Sequence, residues 1–434
     1  MGSPELSALF SERVAEALAD LGGRTDPLEV GRWLRKRLPV EEARAAAELV
    51  DLRRRARGRL PDAERLFLTP KGLEQATDGR VARARADRIA ARLPGAWVWD
   101  ATAGIGGDAL ALRGRGLRVV ASDRDAASTL CARANLGLVA GSGEGQAPPP
   151  AVVLRADALE PPLRDLMGAV LLLDPDRRPG SGSGSGGRRG HPEDWSPPLS
   201  AALALAGRFA GACLKLPPAL DVERIDPDAG APAFPAAPAD AARAEPPASW
   251  QWVSVAGELK EIARWTGALA APGGQREVLA LDARGQATVL EGVPERRAAV
   301  APEQAELPAW ISDPDPAVVR SGLLGLLADR LDARPLAPEI AYLASDERPP
   351  AGLVRPYRVL ASTPLDRKRV RRMLAEHDVG PLTVKKRGHP DPAERLAARL
   401  RGKGSRRGLL LIARLERGHR AYLVTRSEAA EASR

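Results

Sequence analysis

The sequence holds few cysteines and histidines for its length of 434 residues. Its two cysteines, Cys131 and Cys213, cannot build a disulfide framework or a cysteine-rich metal cluster, and so small a number suits a reducing compartment. Its four histidines show no spacing typical of metal ligands. We therefore expect neither a disulfide framework nor a metal site.

Long apolar runs are also missing from the chain. No stretch approaches the roughly 18 to 20 apolar residues that a membrane-spanning helix requires. The opening residues, MGSPELSALFSERVAEALAD, carry acidic residues early and lack the uninterrupted apolar core of a secretory signal. Both absences predict a soluble protein of the cytoplasm.

What the chain does contain is enough apolar residues for a core, together with an uneven charge. Hydrophobic residues make up 44% of a length that accommodates two or three domains. The net charge is +9, but residues 355–426 hold 20 Lys and Arg against 6 Asp and Glu; this excess of 14 leaves −5 for the rest of the chain. A basic segment on a near-neutral body predicts a polyanionic partner such as RNA. The alternative is a solvated surface in an arginine-rich chain.

The first part of the chain predicts helices. Residues 5–56 place Ala, Leu and Val at three- and four-residue spacing, and GRVARARADRIAARL (79–93) does the same. We interpret residues 1–72 as a helical N-terminal region. In the later stretch Arg85, Arg88 and Arg92 are expected on a solvated helix face.

From residue 96 onward, short apolar strands alternate with helices. The strands are AWVWDA (96–101), LRVVASD (117–123), AVVLRAD (151–157), GAVLLLDPD (168–176) and ACLKLPP (212–218). Apolar runs that are buried on both faces and separated by helices predict a parallel, doubly wound α/β sheet of the Rossmann-like class. The Gly/Ser-rich loop 180–187 and the Pro/Ala-rich stretch 226–247 interrupt the alternation.

The remaining sequence predicts further strands, a helix and a small module. ASWQWVSVAGELKEIARW and REVLALDARGQATVL are read as strands that complete the sheet, with DARG as a hairpin turn. DPAVVRSGLLGLLADRL (315–331) predicts a helix, and we interpret residues 311–350 as a helical connector. Residues 73–310 would form the sheet domain, and the basic residues 351–426 a small α/β module.

Glycines and acidic residues gather at the predicted strand ends. An aspartate ends each of the first four strands, and the first of these aspartates precedes a glycine-rich turn. Because ligands of open α/β sheets bind outside the carboxyl ends of the strands, we expect these residues to surround one ligand. They are Asp100, Gly104, Gly106, Asp123, Asp157 and Asp174.

The acidity of this rim restricts the ligand. A nicotinamide dinucleotide calls for G-x-G-x-x-G, which is absent, and Asp100 and Asp108 would repel its pyrophosphate. A P-loop is excluded because no Gly-Lys-Ser/Thr follows the turn. A cationic cofactor without phosphates suits the rim better, and S-adenosylmethionine, with its ammonium and sulfonium groups, is such a molecule.

In this order the residues resemble class I S-adenosylmethionine-dependent methyltransferases. The resemblance rests on DATAGIGGD (100–108), on Asp123 and Asp157, and on the strand end DPDRR (174–178). The chain is similar, more narrowly, to bacterial methyltransferases with a C-terminal THUMP-like domain. Further matches are LEQATDGRVARARADRI (73–89), HPEDWSPPLSAAL (191–203), WVSVAGELKEIARW (252–265) and TVKKRG (383–388).

The resemblance implies which residues hold the methionine part of the cofactor. Asp100 would bind its ammonium group, directly or through water. Gly104 and Gly106, with Ala103 beside them, would let the backbone approach it closely. From the residues alone, the same turn could connect a strand to a helix without any ligand.

The resemblance also implies which residues hold the nucleoside part. Asp123 would accept hydrogen bonds from the ribose hydroxyls and Asp157 from the adenine amino group, while Ala158 would supply a backbone donor. The residues themselves leave two alternatives open: a helix cap for Asp123 and a loop acid for Asp157.

On the substrate side, the resemblance implies that Asp174 and Pro175 lie at the methyl acceptor, with Asp174 as a candidate general base. Members that methylate amino groups often carry an aromatic residue after Asn/Asp-Pro-Pro, whereas this chain continues with Asp176-Arg177-Arg178, which leaves the acceptor atom open. Arg177 and Arg178 would contact phosphate or fix the loop. Cys213, inside an apolar strand, is expected in the core rather than as a nucleophile.

A THUMP-like domain implies an RNA substrate, tRNA or rRNA, and the charge of the same segment supports this independently. Within that domain we assign Lys385, Lys386 and Arg387 to RNA contacts. Two rival functions stay open: a methyltransferase for small molecules or proteins, and a non-catalytic RNA-binding protein with a methyltransferase-like fold.

Overall fold

The computed structural model describes residues 3–138, 149–176, 191–225, 248–272, 275–294 and 307–426. The chain divides into two compact units. The first comprises Met1–Leu216, Ala236–Ser249 and Ala263–Pro272, and the second comprises Pro217–Pro235, Trp250–Ile262 and Gly273–Arg434. The predicted loop 180–187 and the stretch 226–247 lie outside the described residues. The domain boundaries given above stay a prediction.

The first unit begins with the predicted helices. They are α1 (Ser3–Ala8), α2 (Glu12–Ala19), α3 (Pro27–Arg35), α4 (Val40–Ala56), α5 (Pro70–Gln75) and α6 (Gly79–Arg92). Side-chain caps begin two of the early helices: Ser11 accepts from the Val14 N–H at 3.3 Å, and Asp26 accepts from the Glu29 N–H at 2.8 Å. Their apolar faces pack into one core, so the expectation of helices over residues 5–56 is confirmed. No described helix is long and apolar enough to cross a membrane.

Five parallel strands form the sheet of the first unit. They are β1 (Trp97–Asp100), β2 (Arg118–Asp123), β3 (Ala151–Arg155), β4 (Ala169–Leu173) and β5 (Gly211–Leu216), in the spatial order β3-β2-β1-β4-β5. Helices α7 (Gly107–Arg113), α8 (Ala126–Leu136) and α9 (Leu199–Ala206) alternate with them, as does a 3-10 turn at Pro192–Asp194. All five residues of β4 are buried, because one core packs on each face of the sheet. The predicted doubly wound sheet is confirmed.

This strand order places the switch point of the sheet between β1 and β4. The chain runs from β1 outward through β2 to β3 and then returns to the other side of β1 to form β4 and β5. Loops that leave β1 and β4 therefore diverge to opposite sides and open a crevice at their carboxyl ends. Asp100 ends β1, and Asp174 directly follows β4.

Four further strands follow along the chain: β6 (Ala248–Val255), β7 (Glu258–Gly267), β8 (Arg276–Leu281) and β9 (Ala287–Gly292), and a 3-10 turn lies at Val222–Arg224. The first two residues of β6 and residues 263–267 of β7 belong to the first unit, and the rest of these strands belongs to the second. β8 pairs with β6 in parallel and with β9 as an antiparallel hairpin. The predicted DARG turn closes that hairpin: the side chain of Asp282 accepts from two backbone N–H groups, and Gly285 has φ +85°.

A seven-stranded sheet forms the rest of the second unit. Its strands are β10 (Trp310–Pro314), β11 (Arg334–Ala337), β12 (Ile340–Ser345), β13 (Val354–Pro364), β14 (Val379–Arg387), β15 (Arg406–Leu415) and β16 (Gly418–Arg426), in the order β11-β12-β10-β13-β16-β15-β14. Helices α12 (Arg367–Glu376) and α13 (Ala393–Leu400) share one apolar core with this sheet, and a second core contains its tyrosines.

The predicted helical connector differs from the structure. Residues 311–350 do contain helices α10 (Pro316–Ser321) and α11 (Leu324–Arg330), but β11, β12 and most of β10 lie there as well and belong to the seven-stranded sheet. The single helix predicted over 315–331 is interrupted at Gly322, whose φ of +76° ends α10. Periodicity alone does not separate short apolar strands from buried helical segments, so the sequence pattern does not reveal these strands.

A close backbone approach fixes the start of β5. Gly267 has φ +61°, and a Cβ atom there would lie 2.3 Å from the carbonyl oxygen of Ala210. The next residue, Ala268, donates its N–H to that same oxygen at 2.8 Å. Only glycine fits both the conformation and the space. This contact anchors the strand that carries Lys215.

We expect Gly267→Ala to lower the free energy of unfolding by about 2 kcal/mol more than Gly95→Ala does. Both glycines have positive φ, which costs other residues roughly 1–2 kcal/mol, but no atom within 4 Å obstructs a Cβ at Gly95. Urea denaturation of the two variants measures the difference. Equal losses would show that the backbone around Ala210 relaxes freely, contrary to this expectation.

Candidate active site

The glycine-rich turn after β1 is held open by hydrogen bonds to β2. The N–H of Ala103 donates to the carbonyl of Ser122 at 2.9 Å, and the N–H of Gly104 donates to Oδ2 of Asp123 at 3.0 Å. Gly104 and Gly106 have φ of +54° and +86°. Nothing lies within 4 Å of a Cβ built on Gly104, so the turn leaves space beside its backbone. A ligand in that space would meet bare peptide groups.

Asp123 lies beside this turn and has structural partners of its own. Besides Gly104, it accepts the N–H of Asp125 at 2.8 Å. Burial raises the pKa of its carboxyl group, although both of these N–H donors oppose the shift. The N-cap of α8 is Asp125, which accepts from Ser128, so capping does not account for Asp123. Asp157 is exposed and accepts the N–H of Leu159 at 2.9 Å, next to the half-buried Ala158.

Asp100 is the least satisfied carboxylate of the site. Its residue is 3% exposed, and its Oδ2 has no hydrogen-bond partner among the described residues. Burial and the neighbouring charge of Asp108 raise the pKa of Asp100 to about 8, although Lys215 and Arg85 act in the opposite direction. A buried carboxylate oxygen without a donor is costly unless a ligand supplies one. This atom fits a cationic donor such as an ammonium group.

Asp108, eight residues further on, is fully partnered. It forms an ion pair with Arg85, accepts from Thr77 Oγ1 at 2.7 Å and lies 3.3 Å from Lys215 Nζ. Burial alone would raise its pKa, but Arg85 and Lys215 outweigh burial and lower the pKa to about 2. The expected repulsion between Asp108 and a pyrophosphate is therefore weakened, because two cations neutralise this carboxylate.

The expectation of a solvated strip of arginines on α6 is wrong for Arg85 and Arg88, whereas Arg92 is exposed as predicted. Arg85 is 4% exposed and pairs with Asp108. Arg88 lies over the ring of Trp265 and donates to the carbonyl of Leu269, and Arg92 donates to the carbonyl of Ala270 at 2.6 Å. Helix α6 turns Arg85 and Arg88 toward the protein, and each of the three guanidinium groups has an acceptor.

Lys215 is a site residue that sequence reasoning missed. It lies near the end of β5, with 10% of its side chain exposed, and its Nζ is 2.7 Å from Oδ2 of Asp174 and 2.6 Å from Oγ1 of Thr77. A signal was available: a lysine inside an apolar strand of a parallel sheet must find partners when it is buried. Those partners are the aspartates of the neighbouring strand and helix.

The acceptor-side residues follow β4. The N–H of Asp174 donates to Thr102 Oγ1 at 2.7 Å, which ties the end of β4 to the glycine-rich turn, and 35% of the Asp174 side chain is exposed. Pro175 comes next. The predicted substrate contacts Arg177 and Arg178 lie outside the described residues. Cys213 is completely buried in the core, as expected.

The predicted RNA contacts of TVKKRG lie in the second unit, on β14. Lys385 and Arg387 both pair with Asp313, at 2.7 and 2.8 Å, and each side chain is about 30% exposed. These two cations hold the pKa of Asp313 below its usual range in spite of its burial. Lys386 donates to the carbonyl of His389 at 2.5 Å. All three are engaged within the unit.

Comparison with known proteins gives consistent results for both units. Residues 354–426 match the family model described as "THUMP domain-like". An uncharacterized S-adenosylmethionine-dependent methyltransferase of Mycobacterium tuberculosis is 32% identical over 383 residues, which cover 86% of this chain and 93% of the relative. A crystal structure from Porphyromonas gingivalis W83, described as that of a methyltransferase, has a similar fold, with a TM-score of 0.68 and 18% identity over 93% of this chain and 98% of the other.

We expect Asp100→Asn to become progressively more stable relative to the wild type as pH rises from 5 to 8. The folded protein keeps a proton on Asp100 that the unfolded chain has lost above pH 4, so the wild type loses stability over this range, by at most about 1.4 kcal/mol per pH unit. Asparagine does not titrate and escapes this loss. Free energies of unfolding from denaturation at several pH values measure the change.

The control for this experiment is Ser122→Ala. It removes a buried hydrogen bond from Trp99 Nε1 at the end of the neighbouring strand, but no titrating group. Its difference from the wild type should be independent of pH. If the difference for Asp100→Asn were equally flat, the raised pKa of Asp100 would be refuted.

Proposed function

The chain belongs to the S-adenosylmethionine-dependent methyltransferases and carries a THUMP-like domain, and from this premise we propose that its substrate is RNA. We further propose that residues at the carboxyl edge of the first unit's sheet transfer the methyl group. The basic part of the THUMP-like domain would hold the RNA. The observation that carries the proposal is the coincidence of that domain with the +14 segment of the chain.

The described residues fit the cofactor. S-adenosylmethionine, when bound, supplies a methyl group on a sulfonium centre. The unpartnered Oδ2 of Asp100 is suited to its ammonium group, and the space beside Gly104 is suited to its methionine part, with Ala103 and Gly106 completing the turn. We assign the ribose hydroxyls to Asp123 and the adenine to Asp157 and Ala158.

The acceptor side consists of Asp174 and Pro175. Methyl transfer is an in-line displacement, so holding the acceptor in line with the methyl group accounts for much of the acceleration. The partly exposed Asp174 carboxylate can accept a hydrogen bond, or a proton, from an acceptor that carries hydrogen. Attack by a cysteine thiolate is not supported, because Cys131 and Cys213 are both buried in the core. Because neither cysteine is available for covalent catalysis, the site favours direct attack on the methyl group by a lone pair of the acceptor atom.

RNA would contact an exposed basic surface of the second unit. Helix α12 buries Val370, Met373 and Leu374 and turns its cations outward. The loop before β15 lies against residues 378–380, where Gly402 donates to the Gly380 carbonyl and Gly404 to that of Val379. We call the following residues the basic surface: Arg367, Lys368 and Arg369 at the start of α12, and Arg401, Lys403, Arg406 and Arg407 in and after the loop that packs beside its end.

This basic surface is better suited to phosphate than TVKKRG is. All seven of its side chains belong to exposed residues, and none of them is ion-paired with a carboxylate within the described part of the chain. Lys385 and Arg387, in contrast, already neutralise Asp313. Freely solvated cations exchange counterions for phosphates, which is the main source of non-specific affinity for RNA. We therefore place the RNA backbone on the basic surface.

The decisive experiment offers the protein both reactants. Total RNA from cells in which the gene is deleted is incubated with the purified protein and tritium-labelled S-adenosylmethionine, and the RNA is then digested for mass spectrometry. We expect label in a modified nucleoside that the deletion strain lacks. Label in protein or small molecules, with none in RNA, would overturn the proposal in favour of another methyl acceptor.

We expect the triple variant Arg401→Ala, Lys403→Ala and Arg407→Ala to bind a fluorescein-labelled RNA hairpin at least tenfold more weakly at 0.15 M salt. Each lost phosphate contact should reduce the slope of log affinity against log salt by about 0.7 to 0.9. Fluorescence anisotropy over a salt series measures both quantities. The matched control removes three exposed cations of α3 and its end: Arg32→Ala, Arg35→Ala and Lys36→Ala. Equal losses in the two variants would refute the basic surface.

A further inference from the structure

Lys215 stands out among the buried charges because its partners come from three separate segments. Its ammonium group lies 2.7 Å from Asp174 Oδ2 after β4, 2.6 Å from Thr77 Oγ1 before α6, and 3.3 Å from Asp108 Oδ2 in the first turn of α7. An ammonium group has three N–H donors, which equals the number of these oxygens. The side chain is therefore fixed in position.

Two features suggest that this arrangement serves the reaction as well as the fold. A buried ion pair contributes little to stability, because desolvation offsets the attraction. Asp174 is also far more exposed than its partner, 35% against 10%, so one carboxylate is held by a buried cation and still faces outward. The buried ammonium group of Lys215 therefore fixes the orientation of the Asp174 carboxylate from the protein interior.

We propose that Lys215 is a positioning residue for methyl transfer, which fixes the Asp174 carboxylate toward the acceptor and ties it to Asp108 on the cofactor side. This inference rests on the proposed role of Asp174 at the acceptor. Lys215 itself acts through Asp174 and does not need to touch the substrate. The cofactor side and the acceptor side are thereby joined through a single ammonium group.

The surrounding charges explain why a neutral side chain would not replace it. Asp100 at the end of β1, Asp108 on α7 and Asp174 after β4 are three acidic groups, and Arg85 on α6 is a second cation that acts on the first two within the described residues. Asp123 adds a further negative charge near Asp100. Lys215 lowers the pKa of both Asp100 and Asp108. Without it, these carboxylates would retain protons at higher pH.

The kinetic test uses Lys215→Met, Lys215→Arg and Asp174→Asn, with steady-state transfer to RNA from the deletion strain. We expect Lys215→Met to lower kcat about 100-fold while KM for RNA changes less than threefold, because misplacing a catalytic group by about 1 Å costs this much. Lys215→Arg should recover at least tenfold of the loss. Lys260→Met, which removes an ion-paired lysine of β7, is the control and should leave kcat unchanged.

A double-mutant cycle separates positioning from a merely structural role. If Lys215 acts through Asp174, adding Lys215→Met to Asp174→Asn should lower kcat less than threefold further. A full 100-fold additional loss, or an unchanged kcat in Lys215→Met alone, would overturn the proposal. Thermal denaturation confirms that each variant is folded, and Lys215→Arg keeps the test valid if Lys215→Met does not fold.

Calorimetry with S-adenosylmethionine tests the same residue without any RNA. The pH at which affinity reaches half its maximum should move upward by at least one unit in Lys215→Met, because Asp100 and Asp108 then ionise later, and it should return in Lys215→Arg. An unmoved pH dependence would count against Lys215. If the wild type binds the cofactor but methylates no RNA, the RNA substrate is refuted, while this measurement still decides the role of Lys215.

Discussion

Burial of opposite charges at the carboxyl edge of one parallel sheet is the constraint on which the site depends. The central strands of this sheet are apolar and buried, and polar residues follow at their carboxyl ends. Each ionised group at this edge therefore needs a partner or a ligand. Asp108 obtains Arg85, Lys215 and Thr77, while Asp100 keeps one oxygen without a donor. Burial acts on both carboxylates, yet their pKa values separate to about 2 and about 8. The difference lies in their partners: two cations hold Asp108 as a structural anion, whereas Oδ2 of Asp100 has no donor among the described residues.

Regular elements of this fold follow from local sequence, whereas the charge network does not. The strands AWVWDA and GAVLLLDPD and the glycine-rich turn are local patterns, and each lies where its pattern predicts. Arg85 and Lys215 have no local signature. An arginine within a helical pattern usually predicts a solvent-exposed side chain, and a single lysine does not change the prediction of an apolar strand. Their roles become visible only in the structure, where Arg85 of α6 and Lys215 of β5 both contact Asp108 although the two residues are distant in sequence.

In the second unit, the same difficulty affects short strands and the basic motif. Residues 311–350 contain a leucine-rich helical pattern, which obscured strands of four to six residues; β11 and β12 pair with each other, and β10 pairs with β12 and β13. TVKKRG reads as a run of phosphate ligands until Asp313, 72 residues before Lys385, is brought beside it. A cation count therefore locates the basic domain correctly but does not indicate which cations are free. That distinction requires the exposed helix α12 and the loop that packs on residues 378–380.

The structure also changes the reason why this rim suits a cationic cofactor. The sequence alone predicts that Asp100 and Asp108 both repel phosphate, but Asp108 is neutralised by Arg85 and Lys215 and contributes little to that repulsion. Selectivity would then depend on Asp100 in its ionised form, whose unpartnered Oδ2 would gain a donor from an ammonium group and none from a phosphate. A buried group that is unsatisfied without its ligand discriminates by several kcal/mol, more than a loose excess of surface charge does. The unpartnered Oδ2 of Asp100, held in place by the surrounding charges, would therefore discriminate between ligands more strongly than the general acidity of the strand ends does.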